Sequence, residues 1–332
     1  MDLILRPGLV PVDGGFRDDA WWIWCGSVIR GDDGLYHMFA SRWSKATAFS
    51  ANWLTNSCVV RAVASQAAGP YRFVEEVLPP RGREHWDGLM THNPTIHRCG
   101  DCFLLFYTGT TYDGPVPTAG RLEEDDPRRL QARANQRIGL ATAPSPAGPW
   151  TRLEAPILEV DPSGWDAFLT TNAAPVVQAD GRVLLYYKST EDDHARLRYG
   201  VAVADDPAGP YRRSGDGPIF GEAHYEDACV WHEDGGYRMV FNDLTGAFTG
   251  EDHAGGYAAS EDGRAWRYVG QAYSRTLQWS DGRIVTQGSL ERPQILLEQG
   301  RPAWLFAATA DGPGGFSRAA NTWNVAIPLG RG

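Results

Sequence analysis

The chain has 332 residues, 42% of them apolar, and a formal net charge of −10. The acidic balance and the lack of a basic cluster argue against a nucleic-acid partner, and no apolar run approaches a membrane span. Five cysteines is an odd count that favours reduced thiols, and Met1–Pro7 lacks the basic start and apolar length of a secretory leader, so a cytoplasmic protein is expected.

Taken in order, residues 1–19 read as an entry segment, with Leu3-Ile4-Leu5 expected to pair against the end of the chain. Then one pattern begins and is repeated: a strand, a tight turn and an apolar strand. It runs Gly26-Ser27-Val28-Ile29, Asp33-Gly34, Tyr36-His37-Met38-Phe39. It returns as Asn93-Pro94-Thr95-Ile96, Gly100-Asp101, Phe103-Leu104-Leu105-Phe106-Tyr107, and again as Asn172 to Val177, Asp180-Gly181, Val183 to Tyr187. The fourth copy is Glu226 to Trp231, Gly235-Gly236, Tyr237 to Phe241; the fifth is Glu291 to Leu296, Gln299-Gly300, Ala303 to Phe306. Downstream of the first three copies comes a small-residue strand and a Gly-Pro-aromatic turn, at Gly69-Pro70-Tyr71, Gly148-Pro149-Trp150 and Gly209-Pro210-Tyr211; the fourth keeps the strand and reaches Trp266 without Gly-Pro.

Each unit therefore reads as two hairpins, four antiparallel strands rich in β-branched and aromatic residues. Such units repeated radially are blades. The expectation is all-β: a single-domain five-bladed β-propeller around a central channel, with blades at approximately 20–80, 81–158, 159–220, 221–285 and 286–329. A β-sandwich with accidental self-similarity is the alternative, and the constant order of elements weighs against it. The longest insertion, Thr111 to Gln136, has the length of a functional lid or a disordered loop, with a short helix expected within Asp125–Asn135. A second loop, Asp243 to Gly255, carries Asp252 and His253.

Propeller geometry brings the starts of the five inner strands together at one channel mouth. In this chain they are Trp24-Cys25, His92-Asn93, Thr171-Asn172, Glu226-Asp227 and Glu291-Arg292. Charges crowded in a confined site must be paired or perturbed, which marks it as functional. His92, Asn93, Asn172, Glu226, Asp227, Glu291 and Arg292 are expected to share one cavity, with Asp87 and Asp166 in it or just beneath. Asp19, Asp87 and Asp166 each stand six residues before a ring position, and a residue repeated this way also suits a turn cap or a tie between blades. Cys99 and Cys102 flank a hairpin turn without a second cysteine pair, a poor basis for a zinc site. No metal ligands are assigned, and a calcium ion in the channel is left open.

The inner strands with acids at their starts resemble the five-bladed propeller glycoside hydrolases, family 43 and its relatives, over nearly the whole chain. Glu226-Asp227-Ala228 stands where that family opens a blade with Glu-Gly-Pro, whereas Cys25-Gly26 and Asn93-Pro94 occupy positions where an Asp is expected. The resemblance implies a divergent branch, comparable with the β-mannoside phosphorylases and anhydrogalactosidases in having moved catalytic groups. It implies a glycosidase acting on an oligo- or polysaccharide, inverting through a water between carboxyls about 6.5–9.5 Å apart. Glu226 is then the acid, with a pKa raised by Glu291 and Asp227, and the base is drawn from Asp87 and Asp166, with Asp19 third. Arg292, Arg42 and Lys188 are candidates to hold a carboxylate, sulfate or phosphate of an anionic substrate. His92 is a sugar-hydroxyl partner, an acid or a structural histidine; Trp24 and Trp43 suit sugar stacking or core packing equally. A phosphorylase and a non-catalytic carbohydrate-binding propeller are the rival readings, since fold alone does not decide activity.

Overall fold

A computed structural model describes residues 5–215, 217–312 and 315–330. Five four-stranded antiparallel sheets form a ring. Blade one is Trp21–Arg30, Tyr36–Ser44, Cys58–Ala64 and Arg72–Leu78; blade two is Met90–Cys99, Cys102–Thr110, Arg137–Ala143 and Thr151–Arg152. Blade three is Thr171–Val177, Val183–Ser189, Arg198–Ala204 and Arg212–Arg213; blade four is Tyr225–Glu233, Gly236–Asp243, Ala254–Ser260 and Arg267–Tyr273. Blade five takes Ser289–Glu298, Arg301–Ala310 and Thr322–Gly330 from the C-terminal end, and its outer strand, Arg6–Pro7, from the N-terminal end. That closing pair places Arg6 opposite Gly330 and Pro7 opposite Leu329. The expected pairing of Leu3-Ile4-Leu5 lies largely outside the described residues. An extra hairpin, Thr276–Gln278 with Ile284–Thr286, sits between blades four and five.

The continuous apolar runs exist because a blade is covered on both faces. Successive side chains of a strand point to opposite sides. Phe103, Leu105 and Tyr107 pack toward blade one, while Leu104 and Phe106 pack toward blade three. The core is accordingly five wedges, one between each pair of neighbouring blades. Truncating one of these aromatic side chains, such as Phe106, would cost about 3–5 kcal/mol.

Each first strand borders the first strands of both neighbours, closing the ring around the channel. In all five, a β-bulge interrupts the register at the same place: after Trp24, His92, Thr171, Glu226 and Glu291. The next residue in each case has left-handed backbone: Cys25 (φ 62°), Asn93 (49°), Asn172 (49°), Asp227 (60°) and Arg292 (55°). Asn and Asp tolerate this region; Cys and Arg rarely enter it. Bulges re-aim side chains, and here they turn five consecutive pairs toward the channel.

The long insertion of blade two forms a helix, Pro127–Ala134, started by Pro and capped by the Asp126 carboxylate on the Arg128 amide. The insertion does not line the channel pocket. It buttresses the short helix Trp53–Asn56 of blade one, through Tyr112 Oη on the Thr55 carbonyl (3.1 Å) and Asn56 Nδ2 on the Pro117 carbonyl (2.6 Å). Among the described residues no helix is long and apolar enough to cross a membrane.

Candidate active site

The five left-handed residues form a floor across the channel, joined by hydrogen bonds. The Cys25 thiol donates to Asn93 Oδ1 (2.7 Å), Asn93 Nδ2 donates to Asn172 Oδ1, and Asn172 Nδ2 donates to Asp227 Oδ1 (2.7 Å). From the other side, Arg292 gives Asp227 its backbone N–H (3.2 Å) and Nη1 (3.3 Å). Every donor thus leads toward the Asp227 carboxylate. All five residues are buried. Burial pushes the Cys25 thiol up to about 11, so it stays protonated. Arg292 Nε and Nη2 are buried without an acceptor among the described residues, leaving donor capacity beside the pocket unfilled.

Above this floor stand the preceding residues of each strand. Trp24, His92, Glu226 and Glu291 line a cavity of about 100 Å³ together with Asn93, Asn172, Asp227, Arg292, Lys188, Phe49, Trp53 and Phe316. The seven residues expected to share one cavity do share it. Oxygens of Glu226, Asp227 and Glu291 lie within 4.8 Å of one another, on the adjacent blades four and five.

Their surroundings separate these three carboxyls. Burial opposes the charge on Glu226, but Lys188 Nζ, 2.6 Å from Oε2, and Arg292 outweigh it and hold Glu226 below the ordinary carboxylate range. Asp227 is raised by burial and by the Glu226 charge, against the pull of Arg292. Glu291 is pushed up to about 8 by burial and by the charges of Glu226 and Asp227. It accepts a hydrogen bond from Ser289 Oγ, and His253 Nδ1 lies 3.7 Å from its Oε1. The sequence reading expected Glu226 to be the raised carboxyl; Lys188, from blade three, favours its ionised form, and the carboxyl whose surroundings favour the proton is Glu291.

His92 is stacked on Trp53 (centroids 4.8 Å apart) with Nδ1 2.7 Å from Ser57 Oγ. Burial, with Arg292 and Lys188 nearby, lowers its pKa well below the usual value, so the imidazole is neutral. Phe49, Trp53 and Phe316 form an aromatic wall that the sequence reading did not single out.

Asp87 and Asp166 are not in the pocket, which corrects their assignment as base candidates. Asp87 is fully buried and bonded to Tyr107 Oη (2.7 Å), Arg81 Nε (2.7 Å) and Arg152 Nη1 (3.2 Å). Asp166 meets Tyr187 Oη (2.8 Å) and Arg213 Nε (2.7 Å). In both blades the preceding tryptophan stacks on the same tyrosine, Trp86 on Tyr107 and Trp165 on Tyr187. These are ties between strands of a blade. Asp19 is exposed. Arg42 is likewise outside the pocket, sandwiched between Trp21 (4.1 Å) and Phe73 (3.8 Å) and paired with Glu76. Trp43 is buried behind the wall, against Phe49 and His92.

Cys99 and Cys102 face each other across their hairpin as free thiols. A calcium ion takes six to eight oxygens; oxygens of the three pocket acids lie close enough to meet one ion, and two of these acids are already engaged, Glu226 by Lys188 and Asp227 by Arg292. A larger groove of about 700 Å³ lies at the other end of the strand carrying Glu226, lined by Asp234, Glu261 and Asp262 with Arg238 and Arg267; it holds none of the ring residues.

The architecture is that of the five-bladed propeller glycoside hydrolases. The chain is similar to Zg3597, a family 117 glycoside hydrolase from the marine bacterium Zobellia galactanivorans, with TM-score 0.69, 15% identity, and 98% of this chain and 90% of that one covered. It is similar to a thermostable family 43 glycoside hydrolase (TM-score 0.60, 15% identity, 97% and 92% covered) and to an endo-arabinase from Bacteroides thetaiotaomicron (TM-score 0.61, 11% identity, 96% and 98% covered). At these identities the likeness is one of fold. No protein-family model matches the sequence, and no curated protein matches it.

Proposed function

We propose that the protein is a glycosidase in which Glu291 is the general acid and Glu226 the ionised partner. The reading is carried by one observation: two carboxyls within 4.8 Å in one pocket, with environments that drive their pKa values apart. Two titratable groups pushed in opposite directions are what acid-base chemistry at a glycosidic oxygen requires. Glu291 would protonate the departing oxygen, and the Glu226 carboxylate would face the positive charge that develops at the anomeric carbon. Neutral His92, Asn93 and Asn172 would meet sugar hydroxyls, and Trp24, Phe49, Trp53 and Phe316 would cover an apolar face of the ring.

The pocket charges balance. Glu226 and Asp227 are offset by Lys188 and Arg292, and Glu291 is neutral at pH 7. A neutral sugar suits this better than the anionic substrate considered from sequence. Arg42 lies outside the pocket and both pocket cations hold a carboxylate, so a phosphate would have only Arg292 Nε and Nη2 left to meet it. The test is a panel of 4-nitrophenyl pentosides and hexosides, with and without phosphate. Turnover in water supports the reading when Glu291→Gln loses far more of it on the alkyl glycoside of the same sugar than on the 4-nitrophenyl one; binding without turnover supports a carbohydrate-binding propeller, and a phosphate requirement supports a phosphorylase.

A further inference from the structure

Resting on that glycosidase reading, we propose that the protein acts on chain ends: it takes one terminal sugar residue into the pocket, and the rest of the saccharide leaves past His253. The shape of the cavity is the first argument. An enzyme that cuts within a chain needs a groove that crosses the site and is open at both ends. Here the side chains above the floor come from every blade, with Trp53 from blade one, His92 from blade two, Lys188 from blade three, Glu226 from blade four and Glu291 from blade five. The cavity is therefore walled all round. Below, the floor is sealed, its five residues joined one to the next by hydrogen bonds. The enclosed volume is about 100 Å³. Pockets that take drug-sized ligands measure about 300–1,000 Å³, so this is a space for one sugar ring.

The wall is also braced from behind. The short helix that carries Trp53 is held to the blade-two insertion by Asn52 Nδ2 on the Gly120 carbonyl (3.1 Å) and by the Leu122 amide on Asn52 Oδ1 (3.0 Å), besides the contacts of Tyr112 and Asn56. The same insertion reaches blade three, where Arg129 and Arg133 pair with Asp193. A chain crossing the mouth on that side would have to displace the helix and the insertion together.

The second argument fixes the exit. Glu291 must stand within about 2.6–3.2 Å of the oxygen it protonates, and everything beyond that oxygen leaves by the same sector of the rim. Beside Glu291 that sector holds His253, with Nδ1 3.7 Å from Oε1 and the side chain 36% exposed. His253 has left-handed backbone (φ 57°), uncommon outside glycine, and gives its amide to the Asp243 carbonyl (2.7 Å). The Asp243 carboxylate holds the same loop by accepting from the amides of Ala247 (3.1 Å), Phe248 (2.8 Å) and Thr249 (2.8 Å). The loop is thus pre-formed with its imidazole against the acid, where the first sugar of the leaving chain would lie. In each turnover the leaving oxygen keeps the bonding electrons and takes the Glu291 proton. One water is consumed, its oxygen ending on the anomeric carbon and one of its protons, net, on the shortened saccharide.

The experiment takes the sugar that the wild-type protein releases from the 4-nitrophenyl panel. It presents that sugar, in its several linkages, as the 4-nitrophenyl disaccharide and as oligosaccharides labelled at the reducing end. From the labelled chains, free monosaccharide should be the sole small product from the earliest time, with the label on chains that shorten one residue at a time. On the 4-nitrophenyl disaccharide, nitrophenol should appear after a lag, because the outer sugar is removed first. His253→Ala should lower kcat/KM about three- to tenfold on the oligosaccharide and less on the 4-nitrophenyl monosaccharide, whose leaving group brings no sugar to the rim. Early products of two or more residues, nitrophenol without a lag, or hydrolysis of aryl glycosides with no oligosaccharide cleaved would each overturn the proposal and leave the glycosidase reading standing. An equal loss on both substrates in His253→Ala overturns the exit past His253. Failure to hydrolyse any glycoside of the panel overturns both readings.

Discussion

Blades two and three differ from blades four and five in where they keep their acids. Blades two and three each bury an aspartate, Asp87 or Asp166, under a Trp-Tyr stack and tie it with arginines. At the channel they present no acid: His92, Asn93, Thr171 and Asn172 are neutral, and Lys188 of blade three is a cation. Blades four and five lack this tie. Phe241 and Ala307 stand at the register positions of Tyr107 and Tyr187, without the hydroxyl that would hold an aspartate. Their acids are at the bulge instead, as Glu226, Asp227 and Glu291. Acidic side chains are structural where they recur with a tyrosine and line the pocket where that pattern breaks.

That contrast can be broken from either side. The largest effect is expected at Glu291. Glu291→Gln should lower turnover of an alkyl glycoside about 10²–10⁴-fold, and much less for an aryl glycoside whose leaving group departs without a proton. Steady-state rates on the two substrate types, with melting temperature alongside, check it. An equal loss on both substrates would take the acid role away from Glu291.

The second test is pH. Glu291 faces Glu226, Asp227, Lys188, Ser289 and His253. Its folded pKa, about 8, is raised above the ~4.3 of a free glutamate. As acid it should sustain activity through neutrality and lose about tenfold per pH unit above 8. For stability, the protonated form favours the fold, so this contribution is full below the unfolded pKa and lost as pH rises through the folded one. Urea midpoints of wild type and Glu291→Gln, taken at pH 5 and pH 9, should show the wild type losing more stability over this range.

On the structural side, Asp87→Asn or Asp166→Asn should cost about 1–3 kcal/mol, because each removes a buried carboxylate that ties partly exposed arginines, Arg81 and Arg152 or Arg213, to its blade. Turnover well below the melting temperature should be nearly unchanged, the reverse of the Glu291 result. Denaturant titration and rate measurements on the same preparations separate the two behaviours. An effect of similar size belongs to the stack itself. At Gly139 an added Cβ would sit 2.5 Å from the Tyr107 ring and 2.7 Å from Trp86. Gly139→Ala should therefore cost about 1–3 kcal/mol, seen in the melting temperature with activity retained.

Much of this contrast was legible in the sequence. The blades announce themselves through strand-turn-strand copies because both faces of each sheet are covered, which forces continuous apolar runs. The ring pairs could be found by their place at strand starts. What could not be read was who meets whom across the ring. Glu226 is held ionised by Lys188, 38 residues away on the neighbouring blade, and without that partner its acidic neighbours argued for the opposite shift. Asp87 and Asp166 looked available because Arg81, Arg152 and Arg213 are brought to them only by the blade's closure. Phe316 reaches the pocket from a loop of blade five, with no local pattern to mark it. The left-handed backbone had a signal, the Asn, Asn and Asp at equivalent positions, but Cys25 and Arg292 conceal it.

Blade five is built from both ends of the chain, with Arg6–Pro7 beside Thr322–Gly330 and the Phe16 amide bonded to the Asn324 carbonyl. On a ribosome, then, four blades can be laid down while the pocket still lacks its fifth wall. Until Arg292 emerges, Asp227 has no guanidinium partner, and until the last strand follows, Arg6–Pro7 lacks the strand it pairs with. The finished pocket is thus a product of completion: a chain that stops before blade five carries most of its lining but lacks Glu291, Arg292 and Phe316.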